Sequence, residues 1–184
     1  MNSVRFCLGK AVFAAILCIF PFFFSSCSQK EEKKVEANEP DLTITQTDIM
    51  LLIEHKKTID AITAKYDKKI AEVPPSAAYK LIEDGKSEIN GYLESKGLKP
   101  EIFMKKSKKI LKCYLAFNEI SDETMQKRIE LLKQNDASER DIKTKIEAYK
   151  KAGEAFYKEM TAGLTKNEID LVKSNLKNIA SVTE

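Results

Sequence analysis

The sequence predicts an all-α fold: about six amphipathic helices in one bundle-like domain, behind a flexible N-terminal tether. Three observations predict it. From about residue 45 onward apolar side chains recur at intervals of three and four. Proline, glycine and Ser/Thr cap signals interrupt that pattern roughly every 20 to 30 residues. No run of alternating β-branched or aromatic residues announces a strand or hairpin. The recurrent breaks argue against one long coiled coil, and about 140 residues suffice to enclose a single core.

The first helix is expected over residues 47 to 72, with Leu52, His55, Ile59, Ile62 and Tyr66 on one stripe and Pro74-Pro75 at its end. Ser76 is expected to cap the second, which carries Ile82, Ile89, Tyr92 and Leu93 and closes at Gly97-Leu98 in a Schellman arrangement. Pro100 opens the third. Phe103, Ile110, Cys113, Tyr114, Phe117 and Ile120 line it, with Lys105, Lys106, Lys108, Lys109 and Lys112 mostly on the other side. Ser121 caps a short fourth helix with Met125, Ile129 and Leu132, and Asn135-Asp136-Ala137-Ser138 makes a turn. The fifth has the cleanest stripe, Ile142, Ile146, Tyr149, Phe156 and Met160, with Ala152 and Gly153 small enough to admit a close neighbour. Gly163 ends it. Thr165 and Glu168 form a capping box for the last helix, which carries Ile169, Val172, Leu176 and Ile179.

Residues 1–26 follow a different grammar. Arg5 and Lys10 give a positive start, Ala11 to Phe24 is almost unbroken apolar sequence, and Ser25-Ser26 leads to Cys27, where charge begins. That is the anatomy of an export signal. As a helix, Ala11 to Phe24 would cover about 21 Å of a hydrocarbon core about 30 Å thick, and Pro21 interrupts it, so a removed signal explains it better than a membrane span.

Phe24-Ser25-Ser26-Cys27 resembles a lipobox, in the permissive form found in spirochaetal lipoproteins, with Phe where Leu is usual and Ser where Ala or Gly is usual. The resemblance implies that Cys27 is diacylated on sulfur, becomes the first residue of the mature chain and holds the protein to a membrane through its acyl chains. Ordinary cleavage beside Ser25 or Ser26 is the alternative. Ser28 stands where enteric bacteria place the Asp of inner-membrane retention, so the expected location is the bacterial envelope, at the outer membrane. Residues 28 to about 44 begin SQKEEKKVEANE, too polar to offset their ordering entropy, and read as a tether. Its end-to-end distance as a coil is on the order of 25 Å, and its full reach roughly 55 Å. The domain itself is expected over residues 45–184.

The chain has 31 basic and 28 acidic residues, and Arg5 and Lys10 are the leader's only charges, so 29 basic residues face 28 acidic ones from Cys27 onward. Such a mixed surface offers no stripe for nucleic acid. Of four cysteines, Cys7 and Cys18 leave with the signal and Cys27 is acylated. Cys113 then has no intramolecular partner, and its place between Ile110 and Phe117 suits a buried small hydrophobe.

One histidine, His55, and one free cysteine do not make a zinc or iron site, and no calcium-loop spacing is present. On its apolar stripe His55 reads as a hydrogen-bonded seam residue. Neither a G-x-S-x-G elbow nor a phosphate-binding glycine loop occurs. Adjacent carboxylates such as Glu83-Asp84 do not share a helix face. The expectation is therefore a protein that is not an enzyme and uses no cofactor. Lys105, Lys106, Lys108, Lys109 and Lys112 could form a docking face for acidic polymers or headgroups; the alternative is a solvated helix side whose lysine stems cover apolar neighbours.

Leu42-Thr43-Ile44-Thr45-Gln46 matches the LTxxQ pattern of small periplasmic stress proteins of the Spy and CpxP kind, and Leu164-Thr165-Lys166-Asn167-Glu168 matches it with Glu for Gln. The resemblance implies an ATP-independent holding chaperone with a cradle of helices. The same letters also suit a helix start, since Thr followed three residues later by Gln or Glu is a capping box. A further alternative is a lipid- or small-ligand-binding domain, its pocket lined by Phe103, Tyr114, Phe117, Tyr149 and Phe156. The favoured reading is protein interaction or a structural role, with envelope proteins as partners.

Overall fold

The computed structural model describes residues 40–183. The expected signal peptide, Cys27 and the tether through residue 39 lie outside them. The described residues form an all-α domain of seven helices: α1 (Gln46–Ala71), α2 (Pro75–Ser95), α3 (Pro100–Glu119), α4 (Asp122–Gln134), α5 (Glu139–Met160), α6 (Lys166–Ser174) and α7 (Leu176–Thr183).

Most helix ends are set by local chemistry. Ser121 accepts from the Thr124 N–H, and Ser138 from the Asp141 N–H. At the end of α2 the Leu98 N–H reaches Leu93 O and the Gly97 N–H reaches Glu94 O, with Gly97 at φ +73°, the expected Schellman closure. The end of α4 repeats this geometry with Asp136 at φ +53°, a conformation that an aspartate tolerates better than most residues.

Three ends differ from expectation. Ser76 does not cap α2: Pro74 is the N-cap, without a side-chain bond, and Pro75 starts the helix with φ already fixed. The capping box of α1 is Thr45 with Asp48 rather than Thr43 with Gln46. The last expected helix is two, because the side chain of Asn175 turns back to Leu171 O and outward to Gln46, while its N–H takes Val172 O three residues back.

The core has two centres. One gathers Ile44, Ile49, Leu52, Ile110, Cys113, Tyr114, Val172 and Ile179 between α1, α3, α6 and α7. The other joins Ile59, Leu93 and Phe103 where α1, α2 and α3 meet. Helix α3 is central, packing on α1, α2, α4, α5 and α6. Two positions let helices approach closely. A Cβ on Gly85 would lie 3.1 Å from the Tyr66 ring, and one on Gly153 would lie 3.2 Å from Ile120. Ala152 beside it is exposed. The stripe of α5 is only half-buried, and α4 has no buried residue, since these two helices meet little besides each other and α3.

The compact unit begins at Pro40, five residues before the expected boundary. Ile44 is the reason, an aliphatic side chain that is 4% exposed and joins the first core centre.

Candidate functional site

The densest polar constellation lies where the chain enters this fold. Thr45 starts α1, and its N–H and Oγ1 both donate to Asp48 Oδ2, at 2.8 and 2.6 Å. Lys106, on α3, donates to the same oxygen at 3.0 Å. One helical turn further along α3, Lys109 donates to Leu42 O at 3.0 Å. Glu168, on α6, divides its carboxylate: Oε1 accepts the Ile44 N–H at 2.9 Å, while Oε2 accepts the Thr165 N–H and hydroxyl, each at 2.8 Å. Gln46 and Asn175 exchange amide bonds in both directions. Residues 41–45 thus form an irregular strap held by α3 and α6, with Gln46 just beyond it tied to the break before α7.

The electrostatics follow from this geometry. Burial opposes the charge of Glu168, yet bonds from the Thr165 and Ile44 amides, then the Thr165 hydroxyl and the charge of Lys109, outweigh it and hold the carboxyl below its ordinary range. Asp48 behaves alike: burial works against ionisation, and Thr45 and Lys106 overcome it. Burial pushes the Cys113 thiol up to about 11, with the charge of Glu168 adding to the effect. Such a thiol is overwhelmingly protonated near neutral pH, and its side chain is fully buried.

The structure brings together the two Leu-Thr segments, Leu42–Gln46 and Leu164–Glu168, through the bond from Ile44 to Glu168. Sequence reading found the letters and the Thr165–Glu168 box, but not the second use of Glu168. The five lysines do not form one uniform face. Lys105 pairs with Glu101 one turn back, Lys106 holds Asp48 in the first turn of α1, Lys109 holds the strap, Lys108 is half-buried, and Lys112 is exposed.

His55 is buried, with Nδ1 2.9 Å from Tyr92 Oη and its ring edge-on to both Tyr92 and Phe103. It is a seam residue at the second core centre. The five aromatics expected around a pocket are dispersed. Phe103 and Tyr114 belong to different core centres, Phe117 packs against that of Tyr114 and meets Tyr157, and Tyr149 lies under the Arg128 guanidinium. Phe156 is half-buried on α5.

Among the described residues no three His, Cys, Asp or Glu side chains gather where they could hold a metal ion. No described helix is long and apolar enough to cross a membrane. No protein-family model matches the chain, and neither a curated protein nor a solved structure matches it.

Proposed function

We propose that this protein is a lipoprotein of the bacterial envelope, anchored by acyl chains on Cys27, more at home in the outer than the inner membrane, and acting through protein contacts rather than catalysis. The observation that carries the proposal is Phe24-Ser25-Ser26-Cys27 behind its apolar run. The strap supports it: a domain gripped from residue 41 onward leaves 12 residues between Cys27 and Pro40, a span of roughly 45 Å when stretched. Such a link lets the helices clear the headgroups yet keeps them near the membrane.

The test is intact mass of protein purified from detergent extracts of its native host, beside a Cys27→Ala variant. A mass equal to residues 27–184 plus acyl chains, lost in the variant, is the expected result. An unmodified mass would overturn the anchor.

The pairing of Leu42–Gln46 with Leu164–Glu168 favours a second reading, the nucleotide-independent holding chaperone that these segments resemble. Its measurement is light scattering of an aggregating client, with the protein present at equimolar ratio and ATP absent. Undiminished scattering would exclude it.

A further inference from the structure

The strap is held as a ligand is held. Lys109 reads a main-chain carbonyl, Glu168 reads a main-chain N–H two residues later, and an apolar socket takes the side chain of Ile44 between neighbours that include exposed Asp41, Thr43 and Thr45. Two of these three features recognise backbone and are indifferent to sequence. The third asks only for an aliphatic group. Strap residues contribute no helix or strand, and their remaining bonds, Thr43 N–H to Asp41 and Thr45 to Asp48, are local and solvent-exposed, the kind that opens most readily.

We infer that the place where α3 meets α6 is a binding site for a non-helical segment with one buried aliphatic side chain, occupied in this chain by its own residues 41–45. Opening the strap frees Lys109, Glu168 and the Ile44 socket together, and the freed site accepts residues 41–45 of a second copy of this chain, the one segment whose carbonyl, N–H and aliphatic group are shown to match it. Continuity with α1 gives the resident strap a local concentration in the millimolar range, so a competitor must be abundant or bind more tightly. Glu168 is the natural weak point. Its charge is what the Ile44 N–H and Lys109 both favour, so acid loosens the strap. The groups facing that carboxylate are Lys109 on α3, Thr165 on its own turn, and the Cys113 thiol on α3. The inference stands whether or not Cys27 is acylated.

Cys113 reports the opening, because it shares the core centre that Ile44 completes. The experiment is alkylation of the full chain at constant pH, quantified on the Cys113 peptide by mass spectrometry, across low urea concentrations. The expected result in the wild type is an opening nearly independent of urea and far more frequent than global unfolding. Ile44→Ala should speed labelling at least about tenfold while helical circular dichroism is retained. A synthetic peptide of residues 40–46 at several millimolar should slow it again, and the same peptide with Ile44→Asp should not. Should Ile44→Ala fail to fold, Lys109→Met serves in its place. Labelling that follows only global unfolding, or a peptide that gives no protection to a strap variant, would overturn the site.

Discussion

Ile44 and Glu168 lie 124 positions apart, and the backbone N–H of one donates to Oε1 of the other at 2.9 Å. The other carboxylate oxygen caps α6. One side chain therefore closes the beginning of the fold onto its last quarter, and it does so most strongly while ionised.

The sign of the resulting pH dependence is fixed. The folded-state pKa of Glu168 is depressed, so its stabilisation is fully present above the ordinary carboxylate value of 4.5 and is lost as pH falls through the folded value. Asp48 acts in the same direction. Urea midpoints measured between about pH 6 and pH 3 should fall in the wild type and fall less in Glu168→Gln, which keeps an acceptor but nothing to titrate. Equal slopes for the two proteins would refute this assignment. At neutral pH, Glu168→Ala should cost roughly 2–4 kcal/mol, since it removes a cap and strands the Ile44 amide.

Three helical glycines should rank by what a methyl group meets. At Gly91 nothing lies within 4 Å, and Gly91→Ala should stabilise by about 0.5–1 kcal/mol. At Gly153 the neighbour 3.2 Å away is the Cγ2 methyl of Ile120, carried on its branched Cβ and moved only through a stiff χ1, so alanine should fall between the other two, costing up to about 1 kcal/mol. Gly85 faces the root of the Tyr66 ring at 3.1 Å. That ring is fixed by its hydroxyl bond to Glu88 and flanked by the ammonium groups of Lys65 and Lys69. Gly85→Ala should therefore destabilise by about 1–3 kcal/mol. Thermal melts of the three variants give the order directly.

What was legible in the sequence is what local chemistry decides. Ser121, Ser138 and Thr165 bond to their own first turns, and Gly97 needs only its own backbone, so these ends could be read from a few neighbouring letters. The break at Asn175 was hidden because its amide partner is Gln46, 129 positions away. Ile44 falls at the end of the expected tether, since nothing nearby in sequence supplies its socket. The same limit applies to the lysines of α3. Periodicity places them opposite the apolar stripe but does not show that the entry of the chain lies along that side.

The seam at His55 should respond in two sizes. Tyr92→Phe removes one hydroxyl from the hydrogen bond and should cost about 0.5–1.5 kcal/mol. His55→Ala also empties the space between the Tyr92 and Phe103 rings and should cost about 2–4 kcal/mol. In the double variant the two losses should fall short of additivity, because the hydrogen bond can be lost only once. Full additivity in urea titrations would mean the two side chains act independently.

The lysines of α3 separate by what they hold. Lys106 and Asp48 have side chains only 14% and 18% exposed, and their bond joins two helices. Lys105 and Glu101 are 34% and 77% exposed and sit one turn apart on the same helix. Lys106→Gln should cost about 1–2 kcal/mol, and Lys105→Gln less than about 0.5 kcal/mol. The difference bears on the docking face. A lysine committed to the fold is a poor electrostatic lure, because recruiting it to an outside anion means giving up its internal partner. Changing Lys105, Lys106, Lys108 and Lys109 to Gln together should therefore lower the urea midpoint while leaving retention on a heparin column and binding to anionic vesicles nearly unchanged. Lost retention in protein that remains folded would restore the docking face and would mean that the strap contacts yield to an external anion.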